Sequence, residues 1–335
     1  MAKLITDISE VQKYIRVSNA LQYPTLEPSL NEVEMQELTF YLSEGLLAEI
    51  IAEKNAGTYT PRIEKIAEYV IAAEASLAVY KGAPEIEVMI SDNGINRSET
   101  QDEKTAYGGQ IKRLRNLAAN RAYMALDTVL RTLEAYEQDY PEWQNAGYYA
   151  LKGGMFIRSV NDFEKSGENI KGSALTFQAL VPIMKDIQEQ RIMAAMPMAM
   201  YEEILTQLDT GTLTTDNKYL LAKYLKPAIA KLTIQEALTA LAVDVDAQGI
   251  QINQLELAGD SRTQKSASMS AIEKKAWSVR GRGEFYLSNM KEYLNENASD
   301  SKYPLWFNSG WYSETLKAQI ERDSLLPSER KIYRG

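Results

Sequence analysis

Two sets of residues in this chain have the types and spacing to do chemistry. The first is an aromatic element that occurs twice. Tyr140, Pro141, Trp143, Asn145, Gly147 and Tyr149 recur as Tyr303, Pro304, Trp306, Asn308, Gly310 and Tyr312. Aromatic rings around an amide could form a binding site. The same residues also suit a helix end: Pro fixes a turn, Gly permits a positive φ, Asn bonds the local backbone, and Trp and Tyr cover the last turn. Recurrence in both places favours packing or a shared docking surface over catalysis, with Tyr140, Trp143, Tyr149, Tyr303, Trp306 and Tyr312 as the candidate partner-facing residues. The second set is basic. Lys112, Arg113, Arg115 and Arg121 are matched in kind by Lys274, Lys275, Arg280 and Arg282. A solvated helix face is the default explanation. The functional one is contact with an acidic partner or with passing DNA.

Other chemistry is restricted by what the chain lacks. It has no histidine and no cysteine. Ser-His-Asp and Cys-His nucleophilic machinery, disulfides and Cys- or His-ligated metal sites are therefore excluded. Acid–base work would fall to Asp, Glu, Lys or Tyr. Asp244-Val245-Asp246-Ala247-Gln248-Gly249 has the first ligand spacing of a calcium loop, but position twelve is Leu255 and the first copy lacks the acids. Gly108-Gly109 and Gly153-Gly154 precede no GK[ST] and form no phosphate loop. Met193, Met196, Met198 and Met200 read as adaptable core or interface. No catalytic residue, metal site or cofactor is expected.

The elements that must position these residues come in duplicate. Gly57-Thr58-Tyr59-Thr60 returns as Gly211-Thr212-Leu213-Thr214, and Asn93-Gly94-Ile95 as Gln248-Gly249-Ile250. The offset is 154 or 155 at these anchors and 163 at the aromatic element. This is a tandem duplication. The expected domains are 1–162, 163–312 and a C-terminal arm at 313–335. Apolar periodicity predicts helices over 38–51, 63–80 and 112–136, with Tyr69 on the buried stripe of the second and Leu114 and Leu117 on that of the third. The second copy offers 180–208, 217–242 and 271–294, where Pro197 and Pro227 should interrupt or kink the first two. Alternation around glycine turns at 87–95 and 243–252 predicts one small β-hairpin per copy. Polar stretches at 96–109 and 259–270 read as long loops. The fold class is mainly α: a doubled helical-bundle domain, each copy with a hairpin and a long loop.

At 335 residues, 45% hydrophobic and 25% charged, the chain has the composition of a globular protein of two ordinary domains. No apolar run is long enough to cross a bilayer, and the first residues lack a signal-peptide core, so synthesis in the cytoplasm and no membrane partner are expected. The net charge of −9 opposes nonspecific binding of nucleic acid over the whole surface.

The first copy opens with Leu4-Ile5-Thr6, Glu10-Val11 and Tyr14-Ile15-Arg16-Val17, followed by the helical segments 38–51 and 67–80. In these residues it resembles the head–tail connector (neck adaptor) proteins of tailed bacteriophages. The aromatic element is similar to that of doubled proteins in Bacteroidota phages and prophages. The resemblance implies a non-enzymatic structural virion protein: a homo-oligomeric ring docked below the portal protein and joined to adjacent tail or ring proteins. It places the chain in the virion neck, assembled in the bacterial host cytoplasm, with DNA passing the channel without specific binding. The long loops and the arm would contact neighbours, with Arg322, Arg330, Lys331 and Arg334 on the arm. The alternative is a non-virion helical adaptor that binds one protein partner. An enzyme built on carboxylates and tyrosines is a third class, and no carboxylate pair is shared by the two copies to support it.

Overall fold

The computed structural model describes residues 3–17, 21–91, 94–97, 108–240, 243–246, 249–252 and 269–314. Among them the chain forms two compact units. Unit 1 comprises the residues up to Gly153 with Gly172–Gln178, and unit 2 comprises Gly154–Lys171 with the residues from Ala179 onward.

Unit 1 runs through α1 (Ile8–Tyr14), α2 (Tyr23–Glu32), a π turn at Val33–Leu38, α3 (Thr39–Leu42), α4 (Glu44–Ala56) and α5 (Pro61–Glu87). The backbone then pairs β1 (Val88–Ser91) antiparallel with β2 (Gly94–Arg97), Ser91 opposite Gly94. It continues through α6 (Gly108–Ala135) to the short α7 (Gly147–Ala150). Helices α5 and α6 pack along each other and form the centre of the unit, with α1 and α2 laid against α5. Ile63, Ile66, Val70, Ala73 and Leu77 from α5 meet a core that includes Ala118, Ala122, Leu126, Val129 and Leu133 from α6.

Unit 2 repeats the plan with α8 (Val160–Lys165), α9 (Ala174–Ile187), a π turn at Gln188–Ile192, α10 (Met198–Asp209), α11 (Thr215–Leu220), a second π turn at Leu221–Leu225, and α12 (Lys226–Ala240). Strands β3 (Val243–Asp246) and β4 (Gly249–Ile252) pair antiparallel, and α13 (Met269–Asn297) and α14 (Pro304–Phe307) follow. The first residues of α9, to Gln178, group with unit 1. The pair α12–α13 is the counterpart of α5–α6.

The duplication is visible in local geometry. Pro28 inside α2 and Pro182 inside α9 stand 154 residues apart, and each helix runs directly into a π turn. Gly57 and Gly211 both adopt left-handed φ, 71° and 69°, where α4 and α10 end. Only glycine takes that conformation without Cβ strain. Thr60 N donates to Glu53 Oε2 and Thr214 N to Gln207 Oε1, again 154 apart.

The second π turn in unit 2 explains why the offset grows from 154 to 155. A π turn is one residue inserted into an α-helix. It precedes Pro227, which has no N–H to give the Lys223 carbonyl and crowds it. The widened turn takes up that conflict, so Pro227 lies within a helix that continues into α12 rather than ending it. Pro197 does interrupt: Met196 is extended and α10 starts at Met198.

Several expectations shift. The third helix begins at Gly108 and its counterpart at Met269, within the stretches expected as loops; Asn96 lies in β2, and residues 98–107 and 253–268 fall outside the described residues. The expected divide at 162 lies inside α8, which groups with unit 2, and the division falls at Gly153. Ser43 takes φ 76° and separates α3 from α4, so 38–51 is not one helix. Tyr69, Leu114 and Leu117, assigned to buried stripes, are exposed. Residues 315–335, which carry the arm with Arg322, Arg330, Lys331 and Arg334, lie outside the described residues.

Candidate interaction surfaces

The aromatic element is a clamp on the unit that carries it. Tyr140 and Trp143 are fully buried in unit 1, and Tyr303 and Trp306 nearly so in unit 2. Tyr140 Oη donates to the Arg62 carbonyl at 2.6 Å, and Tyr303 Oη donates to the Asp216 carbonyl at 2.9 Å. Arg62 and Asp216 are 154 apart, at the starts of α5 and α11. Each tyrosine thus ties the end of its unit to the same helix start. A ring buried in its own unit has no face left for a partner, so the expected interface role of Tyr140, Trp143, Tyr303 and Trp306 is corrected to core packing. Tyr149 and Tyr312 are half-buried.

Around the tryptophans the two copies differ. Trp143 Nε1 donates to the Tyr41 carbonyl at 3.0 Å. The Lys152 ammonium lies over Trp143 at 4.5 Å and near the Tyr148 and Tyr149 rings at 5.3 and 5.7 Å, while it donates to Glu134 Oε1 at 2.8 Å. Three rings and a carboxylate surround one cation, which desolvates the pair without leaving the charge unmatched. In unit 2, Asn295 takes the place of Glu134. Its Oδ1 accepts from Trp306 Nε1 at 3.3 Å and from Ser313 N at 3.0 Å.

The repeated glycine of the element is required by space in unit 1 alone. A Cβ on Gly147 would stand 2.6 Å from the Phe40 ring, whereas a Cβ on Gly310 would meet nothing within 4 Å. Neither has a positive φ; Tyr303 does, at 53°. Asn308 Nδ2 bonds the Pro304 carbonyl at 3.1 Å, the local role expected of it.

In each unit one helix of the central pair, α5 or α12, also buries a charged residue. Glu74 in α5 is fully buried beside Glu34, and among the described residues neither carboxylate oxygen has a hydrogen-bond partner. Burial, with the neighbouring Glu34 charge adding to it, holds the Glu74 carboxyl well above the usual range. Glu34 in turn accepts from Leu4 N at 2.6 Å. In α12 the buried group is Lys231, which donates to the Gly167 carbonyl and to Glu168 Oε1, both at 2.6 Å. Sequence reasoning singled out neither residue. The only available signal was a charge on an otherwise apolar helix stripe.

The basic clusters sit on the outside of α6 and α13. Lys112, Arg113, Arg121, Lys274, Arg280 and Arg282 are exposed. Arg115 lies over the Tyr80 ring at 4.9 Å, and Arg121 donates to the Tyr14 carbonyl at 2.9 Å. The Lys275 side chain lies outside the described residues. Exposed apolar side chains stand among these cations: Leu114, Leu117 and Met124 on α6, Trp277 and Phe285 on α13.

The concavities are modest. One of about 290 Å³ in unit 2 is lined by Asp186, Arg191, Leu232, Glu236 and Arg280, and one of about 120 Å³ by Glu203, Asp216, Asn217 and Tyr303. Among the described residues no group of three or more acidic side chains could hold a metal ion, and no helix is long and apolar enough to cross a membrane.

Residues 26–152 and 192–315 match the model of a family of unknown function, DUF6712. The chain belongs to that family. The two matched stretches end at Lys152 and Thr315, the same place relative to the two aromatic elements, in keeping with a two-part repeat. No curated protein and no solved structure matches the chain.

Proposed function

We propose that the chain is a structural virion protein, a head-to-tail connector or ring subunit that docks below the portal of a tailed phage. The observation that carries this reading is the placement of the stretch on which the resemblance to connectors rests. Leu4, Ile5, Val11 and Ile15 are buried. The stretch is held by Leu4 N donating to Glu34, Tyr23 Oη donating to the Ile5 carbonyl, and Lys54 donating to Glu10 at 2.8 Å. It is an integral part of the first helical unit and not an appended tail.

In this reading each unit carries a hairpin and a long loop toward its neighbours, and the arm at 313–335 reaches the next protein. Assembly is a homo-oligomeric ring, with two different faces of each subunit in contact. The acidic net charge lets DNA pass without adhering. The protein works without a catalytic site.

Quantitative mass spectrometry of purified virions of the source phage tests this. A low, fixed copy number close to that of the portal supports the neck ring. Absence from virions refutes it and leaves a non-virion helical adaptor. Hundreds of copies per particle would move the chain to the shell or the tail tube.

A further inference from the structure

Along α6 and α13 the buried residues align at a constant offset of 161: Ala118 with Val279, Ala122 with Gly283, Leu126 with Leu287, Val129 with Met290 and Leu133 with Leu294. The same offset pairs residues on the opposite, outward side. Arg113 matches Lys274, Arg121 matches Arg282, and Met124 matches Phe285. All six are exposed, Met124 at 71% and Phe285 at 61%. At roughly 100° per residue each trio stays within about 80° of arc, one face of the helix. Leu117 lies inside that arc on α6, and Trp277, 79% exposed, flanks it on α13.

Surface positions away from special features tolerate substitution freely. The two copies have diverged even in their interiors, as Ala122 against Gly283 and Glu134 against Asn295 show. Against that drift, both keep two cations and one large solvated apolar side chain at the same three places. We infer that the outward faces of α6 and α13 are two equivalent docking sites for an acidic amphipathic helix of a partner protein.

Charge complementarity selects the occupant. Four cations on an otherwise acidic chain call for carboxylates. The apolar position is Met in one copy and Phe in the other, so it requires apolar area and not a stacking ring, which favours a protein side chain over a nucleic-acid base. Apolar anchors at helical spacing with acidic flanks are what a helix lying on another helix supplies. The inference is independent of whether the chain works in a virion.

The probe is a fluorescent helical peptide with Leu at i, i+3, i+4 and i+7 and Glu elsewhere, titrated into the full chain by anisotropy and calorimetry. Two peptides should bind per chain. Arg113→Glu with Met124→Glu should leave one, Lys274→Glu with Phe285→Glu should leave one, and all four together none, each pair weakening its site at least about tenfold. Lys165→Glu with Lys218→Glu, exposed cations elsewhere, should change nothing. All of these positions are exposed, and thermal melts by circular dichroism verify that the variants fold. The inference is overturned if stoichiometry ignores the substitutions, or if a Lys-for-Glu peptide binds equally. It is also overturned if oligothymidine or anionic vesicles bind these faces and the peptide does not. Self-association of the chain that the substitutions abolish would overturn it in favour of a second copy.

Discussion

The two units start from the same ancestral helices and bury a charge in the same central element, yet they stabilise it in opposite ways. In unit 1 burial, with the neighbouring Glu34 charge, favours the protonated form of Glu74. Unit 2 has Ile229 at the matching position and instead buries Lys231 in place of Ser76, paired with Glu168. A lone carboxyl can shed its charge by taking a proton, whereas a lysine near neutral pH sheds its charge only at a larger free-energy cost and finds an anion instead. The contrast extends to the aromatic clamps: unit 1 braces its tryptophan with a caged lysine, unit 2 with a neutral amide. Duplicated packing tolerates different electrostatic solutions as long as each is closed.

The largest expected effect tests the clamps. Trp143→Ala and Trp306→Ala should each cost about 3–5 kcal/mol, since both rings are fully buried. The unit 1 change should be the larger, because it also exposes the Lys152–Glu134 pair and orphans the Tyr41 carbonyl. Urea unfolding followed by far-UV circular dichroism reads this out; equal losses would mean that the cage adds nothing to the clamp.

Next, the glycines of the two aromatic elements should part company. Gly147→Ala drives a methyl into the Phe40 ring and should destabilise by about 1–3 kcal/mol, while Gly310→Ala meets open space and should stay within about 0.5 kcal/mol of wild type. A destabilisation by Gly310→Ala as large as that by Gly147→Ala would show that a shared backbone demand, and not the Phe40 contact, keeps both.

The third comparison is pH dependence. The Glu74 pKa is raised in the folded state, so its contribution is fully present below the ordinary Glu pKa and is lost as pH rises through the folded value. Glu74→Gln should therefore gain stability at about pH 8 relative to wild type, on the order of 1 kcal/mol, and lose that advantage at about pH 4. Urea midpoints measured across that range should converge toward low pH. Parallel curves would show that Glu74 is charged in the fold.

The smallest effect should be symmetric. Gly57→Ala and Gly211→Ala each force a methyl into left-handed backbone with no other contact, at about 1 kcal/mol apiece. A twofold difference in melting-temperature shift would mean that one of these turns is held by more than its own geometry.

Much of this was legible along the chain. The repeat and the mainly helical character follow from local patterns, because apolar periodicity acts between residues a few positions apart. The aromatic element was legible as packing or as a docking surface, and nothing local could decide between them. Tyr140 and Trp143 are core because Arg62 and Tyr41, far off in sequence, lie against them. Leu114 and Leu117 continue the apolar periodicity of α6 yet face outward, since an amphipathic pattern names a stripe but not what covers it. The sequence by itself determined a doubled, mainly helical chain without histidine or cysteine chemistry. Only the tertiary structure decided which rings are clamps, which buried charged side chains have an ion-pair partner, and which basic side chains are exposed among the described residues, because burial is set by the elements that close over a residue and not by its neighbours along the chain.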